Sequence, residues 1–123
     1  MKIFLNVCVL LLILIAVSGC KNGGKKLLIK LPVTYRGLYS FGPEVKSFKD
    51  CDDGQEYWVA DSSAKLELSY AQMHFEKPNE PVYVEVEATK VKSGPDGLAS
   101  EFDSTLVVKK LIKITSELPK DCN

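Results

Sequence analysis

The sequence predicts a mainly β protein, a small barrel of five or six strands with one helix between the third and fourth strands. Short segments rich in β-branched and aromatic residues alternate with Gly, Pro and Asp, which is typical of small all-β domains. Only one stretch, after Asp61, changes from strand-like to helix-like apolar spacing. Three strands, a helix and two further strands can close a barrel that leaves no long exposed edge.

The first barrel strand is predicted at residues 33–42. An apolar run at residues 27–31 precedes it and ends at Pro32, and we expect this run to be a strand or an extended lead-in. Within the first strand, Gly37 lacks a side chain to pack, so it predicts a bulge or a bend.

The second and third strands are predicted at residues 45–51 and 55–60. Between them lies Asp52-Asp53-Gly54, and Asp-Gly between two apolar runs is a strong hairpin signal. A type I′ turn needs positive φ at both central residues, which Asp and Gly tolerate. The spacing therefore predicts a tight hairpin closed by a type I′ turn.

The helix is predicted to begin after residues 61–63, whose carboxylate and hydroxyls suit an N-cap. Apolar residues then follow at helical spacing, namely Ala64, Leu68, Ala71 and Phe75, with Leu66, Tyr70 and Met73 beside them. Residues 66–70 also alternate as a strand would, so that alternative stays open at this point. The segment ends at residues 78–81, which contain two prolines.

The last two strands are predicted at residues 82–91 and 105–115, joined by a turn-rich loop at residues 93–97. The first of them shows the cleanest alternation in the chain, with one inward face formed by Val82, Val84, Val86 and Ala88. The second should turn Leu106, Val108, Ile112 and Ile114 to the core. Lys110 interrupts that face, which predicts a bulge or a strong bend.

Residues 1–19 have the layout of a secretory signal, with Lys2 ahead of an apolar run that is too short to span a membrane comfortably. Val17-Ser18-Gly19-Cys20 resembles a bacterial lipobox, in which the Cys thiol receives a diacylglyceryl group. An ordinary signal peptide with a chance Cys at the cleavage site is the alternative. The sequence thus predicts a lipidated Cys20, a tether at residues 20–26 and one domain at residues 27–123.

This layout predicts a location in the cell envelope, with the protein anchored to a membrane by lipid. Lys21 follows the lipidated cysteine, where the inner-membrane retention rule of enteric bacteria would place an acidic residue. We therefore expect the outer membrane, on its periplasmic side or at the surface.

The four cysteines predict one disulfide. Cys8 leaves with the signal and Cys20 carries lipid, so Cys51 and Cys122 are the pair that remains. An exported chain meets an oxidising compartment, where such a pair normally forms a disulfide. The alternative is two free thiols that bind Cu(I) or sense redox state.

Charge and composition predict a binding protein that is neither an enzyme nor a nucleic-acid binder. Sixteen basic residues balance sixteen acidic ones, and loss of Lys2 with the signal leaves one net negative charge. The domain therefore has no excess of positive charge with which to bind the phosphates of a nucleic acid. The chain has one His and no recognisable nucleophile–base pair. Glu85 and Glu87 alternate along one strand face, which fits a solvated face better than an acid–base pair.

No cofactor or metal site is predicted. Met73 and His74 are competent Cu(I) ligands, yet no second His accompanies them. Acidic residues cluster round the first hairpin, but they lack the spacing of a calcium loop, and turn chemistry explains them better.

A possible ligand surface is predicted on aromatic residues. Tyr57 and Trp58 are neighbours in one strand, so one of them faces outward. The outward ring, together with Tyr35 or Tyr83, could offer a platform to a glycan or a protein, as in other barrels of this size.

Several segments of the chain, taken in sequence order, resemble the C-terminal OB-fold domain of the NlpE family. The members of this family are bacterial envelope lipoproteins linked to copper resistance and surface sensing. The matching residues are 37–39, 48–51 with Gly54, 59–60, 66–67 with Tyr70, and above all 77–87, Lys-Pro-Asn-Glu-Pro-Val-Tyr-Val-Glu-Val-Glu. The resemblance implies an OB barrel and a disulfide between Cys51 and the late Cys122. The Cys-x-x-Cys motif of the family's preceding domain has no counterpart here.

The function predicted from these observations is that of a membrane-anchored envelope lipoprotein. Its OB-like domain would bind an envelope protein or a glycan without catalysis, in envelope stress or copper homeostasis. The alternatives are a small periplasmic inhibitor of a lysozyme-type hydrolase and a Cu-binding lipoprotein.

Overall fold

The structure is a computed structural model that describes residues 31–122. Its elements are β1 (Val33–Gly42), β2 (Val45–Asp50), β3 (Glu56–Asp61), α1 (Lys65–Ala71), β4 (Val82–Lys92) and β5 (Ser104–Thr115), with short 3-10 turns at Leu98–Glu101 and Lys120–Cys122. The mainly β architecture and the helix between the third and fourth strands are confirmed. Of the predicted lead-in at residues 27–31, all but Leu31 lies outside the described residues.

The five strands form a closed barrel in the order β1-β2-β3-β5-β4. Neighbouring strands are antiparallel except β3 and β5, which run parallel with Trp58 opposite Thr105 and Asp61 opposite Val108. The barrel closes where β1 pairs with β4, from Val33 opposite Ala88 to Tyr39 opposite Val82. This topology is that of the OB fold.

The core is the barrel interior, and β4 supplies one wall of it as predicted. The β4 side chains with no exposed surface are Val82, Val84, Val86 and Ala88. Larger side chains from the other strands fill the centre, namely Tyr39, Phe48, Val59, Leu106 and Val108. Leu66 of α1 closes the end of the barrel at which β3 finishes.

Of the bulge or bend predicted at Gly37, the bulge is not present. The register of β1 against β4 runs without a shift through this position. A Cβ at Gly37 would instead meet the ring of Phe48 and the carbonyl oxygen of Lys49. Glycine stands there because the Phe48 ring, packed in the core, occupies the space of a side chain.

The β2–β3 hairpin forms as predicted, but its turn is wider than type I′. Gly54 has a φ of 72°, whereas Asp53 is not among the non-glycine residues with positive φ. The Gly54 N–H donates to the Asp50 carbonyl at 3.0 Å, and the Asp50 N–H donates to the Gln55 carbonyl at 2.9 Å. The Asp50 side chain adds a bond from the Asp52 N–H at 2.7 Å, so an Asx turn shapes this loop.

The helix is shorter than predicted and buries a different face. Leu66 and Tyr70 are buried, while Leu68 is 60% exposed. Asp61 fixes this orientation, because its Oδ2 accepts hydrogen bonds from the N–H groups of Leu66 and Glu67 at 2.9 and 3.2 Å. The N-cap predicted at residues 61–63 is wrong, because the N-cap is Ala64, with a φ of 56° and no side-chain hydrogen bond of its own. Asp61 nevertheless supplies the acceptor for two N–H groups of the first turn.

The predicted irregularity near Lys110 is confirmed as two β-bulges in β5. Lys109 and Ile112 are the extra residues, since the register against β4 shifts at each of them. Each bulge moves the following side chains to the other face. Leu111 therefore packs against the core, and Ile112, predicted to face inward, is 45% exposed.

Candidate functional site

The four aromatic residues predicted as a ligand surface occupy two faces of the barrel. Tyr35 and Tyr57 lie on the inner face, near the end of the barrel that is opposite α1. Trp58 and Tyr83 lie on the outer face, on strands separated by β5. The fold therefore brings Tyr35 and Tyr57 to one place and keeps Trp58 and Tyr83 apart.

Tyr57 is held in a closed environment. Its ring is 5% exposed, its hydroxyl donates to Asp53 Oδ2 at 2.8 Å, and Lys90 Nζ stands 5.3 Å from the ring centroid. Burial, followed by the hydrogen bond to Asp53, raises the pKa of Tyr57 above its ordinary value. This phenol stays protonated at neutral pH, and its hydrogen bond to Asp53 stabilises the β2–β3 hairpin.

An apolar groove of about 350 Å³ opens at the same end of the barrel. We call it the mouth groove, and it is lined by Leu31, Val33, Tyr35, Ala88, Thr89 and Lys90. Leu31 and Val33 are among the most exposed large apolar side chains of residues 31–122.

Trp58 is the predicted aromatic residue that faces outward from β3. Its ring centroid lies 5.8 Å from that of Phe102, in the connection between β4 and β5. The same connection is tied to the barrel by the hydroxyls of Ser93 and Thr105, 2.8 Å apart. Beside Phe102 lies a groove lined by Lys92, Ser93, Gly94, Pro95, Ser100 and Asp103. The sequence signal for Phe102 was absent, because the contact depends on how the loop folds back.

Tyr83 lies on the outer face but is 5% exposed. Its hydroxyl donates to Glu85 Oε1 at 2.8 Å, and Lys113 Nζ lies 5.9 Å from its ring centroid. Leu118 and Pro119 line a pocket with it. Burial is the main cause that raises the pKa of Tyr83 above its ordinary value. Tyr83 therefore lies beside the C-terminal segment and leaves little of its own surface free for a ligand.

The C-terminal segment is fastened by a disulfide between Cys51 and Cys122, whose Cα atoms lie 4.5 Å apart. Arg36 adds a second attachment, since its Nη2 lies 2.9 Å from Asp121 Oδ2 and its Nε donates to Asp52 at 3.0 Å. The hydrogen bond from Arg36 lowers the pKa of Asp121. Sequence reasoning found the cysteines and missed Arg36 and Asp121.

Residues considered for metal binding in the sequence are dispersed. Met73 packs against the core, and His74 is exposed with a φ of 50°. The carboxylates of Asp50 and Asp53 accept hydrogen bonds inside their own hairpin. Within residues 31–122, no group of three or more His, Cys, Asp or Glu side chains is arranged to hold a metal ion.

A further groove lies at the helix end of the barrel and was not predicted. Its walls are aromatic: the ring of Tyr70 lies 5.8 Å from Phe41 and 5.2 Å from Phe75. The other lining residues include His74, Lys77 and Pro78. The Tyr70 hydroxyl donates to the Glu80 carbonyl at 2.7 Å, so this cluster holds the connection between α1 and β4 in place.

Cys20, the predicted lipidation site, lies outside the described residues. Over residues 31–122, no helix is long and apolar enough to cross a membrane. The anchor therefore stays a prediction from the lipobox.

Fold and site together define an OB-fold domain joined by one disulfide, in which residues 31–122 form no cluster of three or more His, Cys, Asp or Glu side chains that could hold a metal ion. The family model of the NlpE C-terminal OB domain matches residues 29–123, so the chain belongs to that family.

Among solved structures, the chain is similar to the Cpx pathway activator NlpE from Escherichia coli, with 27% identity and a TM-score of 0.54. That match covers 69% of this chain and 40% of the other, so the chain spans less than half the length of its relative. No curated protein matches the sequence.

Proposed function

We propose that this chain is a bacterial envelope lipoprotein whose OB domain binds a protein partner in envelope-stress signalling, without catalysing a reaction. Membership of the NlpE C-terminal OB-domain family is the observation that carries the proposal. The similar protein from Escherichia coli is described as an activator of the Cpx pathway. The lipobox at residues 17–20 supports attachment to the envelope, in the outer membrane, through Cys20.

The partner surface is proposed at Trp58 and Phe102. Tyr57 and Tyr83 are each only 5% exposed, whereas Trp58 is half-buried and keeps part of its surface at the outer face. Trp and Phe are enriched in protein interfaces, and a neighbouring groove gives a partner side chain room to enter. A glycan stacked on Trp58 is the alternative ligand at the same surface.

In-cell photocrosslinking tests this surface. A photoreactive residue in place of Trp58 should give a discrete product with one envelope protein, and the same residue at Leu68 should not. Leu68 is a matched control because it is 60% exposed and lies on α1, at the other end of the barrel. Identical product patterns from both positions, or none from either, would refute the proposed surface.

Copper binding and inhibition of a hydrolase stay predictions. The sulfur atoms of Cys51 and Cys122 are bonded to each other, so a Cu(I) site that uses them requires prior reduction. Calorimetry with Cu(I), on oxidised and reduced protein, separates such a site from one at Met73 and His74. A lysozyme activity assay tests the inhibitor alternative.

A further inference from the structure

Exposed apolar side chains are concentrated at the end of the barrel opposite α1. Of the seven large apolar side chains that are exposed within residues 31–122, four belong to this end, namely Leu31, Val33, Val91 and Leu98. Leu31 is 75% exposed and Val33 is 57% exposed, and both line the mouth groove. Val91 lies near the end of β4, and Leu98 lies in the loop that joins β4 to β5 there. Apolar surface gathered in one region is typical of a site that meets a membrane or a protein.

The chain enters the barrel at this same end. The described residues begin at Leu31, and β1 starts at Val33. Ten residues stand between Cys20 and Leu31 in the sequence. Even fully extended, they keep Leu31 within roughly 40 Å of Cys20. A lipid on Cys20 therefore holds this end of the barrel close to the membrane, with α1 at the other end.

The residues that connect Cys20 to Leu31 carry only positive charge. Four lysines occur among them, at positions 21, 25, 26 and 30, and the first acidic residue of the whole chain is Glu44. A cluster of basic residues beside a membrane anchor is attracted to anionic headgroups. The composition of this connection therefore favours a membrane that contains anionic lipid.

The rim of the barrel itself carries charges of both signs. Lys92 ends β4, and Asp96 and Asp103 follow in the loop to β5. In the β2–β3 hairpin at the same end, Asp52 accepts a hydrogen bond from Arg36 at 3.0 Å. The basic connection thus accounts for a preference for anionic lipid, and the exposed Leu and Val side chains determine which end of the barrel meets it.

We propose that the end of the barrel opposite α1 rests on the anionic phospholipid surface to which the chain is anchored, with Leu31, Val33 and Leu98 at the contact. The bilayer is the occupant because a lipid on Cys20 keeps it within reach of the rim at high effective concentration. Apolar side chains with lysines nearby also suit the boundary between headgroups and acyl chains. This inference rests on the proposed function and adds to it an orientation, in which the outer face of β3 with Trp58 forms part of the side wall.

Photocrosslinking to lipid tests the contact. The full chain is isolated from membranes, its N-terminal lipid is checked by intact mass, and it is placed in vesicles of phosphatidylcholine and phosphatidylglycerol. A photoreactive residue in place of Leu98 should form a phospholipid adduct at about tenfold the yield of the same residue at Leu68. Leu98 is far from Cys20 in the sequence, so the tether alone does not bring it to the lipid, and Leu68 is a 60% exposed control on α1.

Equal yields at Leu98 and Leu68 would overturn the proposal, because they would mean that the barrel has no preferred orientation. An adduct at Leu98 with a second copy of the chain, in place of lipid, would overturn it as well, because another protein would then cover this end.

A matched pair of substitutions gives a second readout. Leu31→Asp should lower the lipid adduct at Leu98 about tenfold, whereas Leu68→Asp, also at an exposed leucine, should leave it unchanged. Vesicles of phosphatidylcholine alone should lower the yield about threefold or more, because the lysines lose their anionic partners. A yield that does not respond to Leu31→Asp, or to the charge of the lipid, would contradict the docking.

Failure of the docking and failure of the proposed function give different results. A chain without lipid on Cys20 would remove the anchor and the docking together. A lipidated chain with no phospholipid adduct at Leu98 would remove the docking alone.

Discussion

Arg36 Nη2 lies 2.9 Å from Asp121 Oδ2, one residue before the disulfide-bonded Cys122. The same guanidinium reaches Asp52, one residue after Cys51. One cation on β1 thus joins the two acidic residues that flank the disulfide. The C-terminal segment is held twice, once by a covalent bond and once by charge.

The ion pair gives the stability of the fold a defined pH dependence. Arg36 depresses the pKa of Asp121 below its ordinary value of 3.8. A carboxyl with a lower pKa in the folded state stabilises the fold above its unfolded pKa, and that contribution is lost as pH falls through the folded pKa. Asp121→Asn should therefore lower the melting temperature at neutral pH, and the difference should vanish well below pH 3.8. A difference that persists in strong acid would contradict the ion pair as its cause.

The disulfide should contribute far more to stability than the ion pair. It closes a loop with a sequence separation of 71. In the chain-entropy model this stabilises the fold by about 4 kcal/mol. Replacing both Cys51 and Cys122 by Ser should lower the free energy of unfolding in urea by roughly that amount. A loss below about 1 kcal/mol would show that the closed loop does not constrain the unfolded chain as proposed.

Gly37 should not tolerate a methyl group. A Cβ there meets the Phe48 ring and the Lys49 carbonyl, and overpacking of this kind costs roughly 1–3 kcal/mol. The matched control is Gly94→Ala, where nothing lies within 4 Å of the added carbon, so its effect should stay within about 0.5 kcal/mol. Equal free energies of unfolding for the two variants would disprove the packing argument.

Two buried tyrosines should respond differently to loss of the hydroxyl. Tyr70→Phe removes a bond to the Glu80 carbonyl and should destabilise the fold by about 1 kcal/mol. The Tyr39 hydroxyl is buried without a hydrogen-bond partner among the described residues. Tyr39→Phe should consequently leave the free energy of unfolding unchanged or raise it. Denaturant titration of both variants checks the pair, and a cost at Tyr39 equal to that at Tyr70 would point to a partner such as a buried water.

The inward and outward faces of a strand were predictable wherever its apolar and polar residues alternate without interruption. β4 alternates without interruption from Val82 to Ala88, and its inward face was correct at every position. β5 was predicted as a strand, but Ile112 was placed on the wrong face. A bulge shifts the inward–outward alternation by one residue. Its position depends on how β5 pairs with β4, and the sequence of β5 alone carries no information about that pairing.

The helix shows the same dependence on tertiary contacts. Apolar residues surround this short segment, so spacing alone did not identify Leu66 and Tyr70 as the buried pair. Asp61, at the end of β3, selects that face by capping the first turn. The sequence showed that Asp61 could accept hydrogen bonds from the start of the helix, but it did not show that Ala64 is the N-cap or which face is buried.

The candidate site was predictable in its residue types and not in its assembly. Tyr57 and Trp58 had to face opposite ways, but only the barrel shows that Trp58 is the outer one. Arg36 and Asp121 lie 85 positions apart and meet because the C-terminal segment folds back across β1. Contacts of that range leave no local pattern in the sequence.

The most direct test of an envelope lipoprotein is the intact mass of the N-terminal peptide of the protein isolated from membranes. We expect residues 1–19 to be absent and Cys20 to be the first residue, carrying a diacylglyceryl group. Replacement of Cys20 by Ala should abolish both changes. An N-terminal peptide that begins at Met1, or at a Cys20 without lipid, would contradict the anchor and with it the proposed place of this OB domain in the envelope.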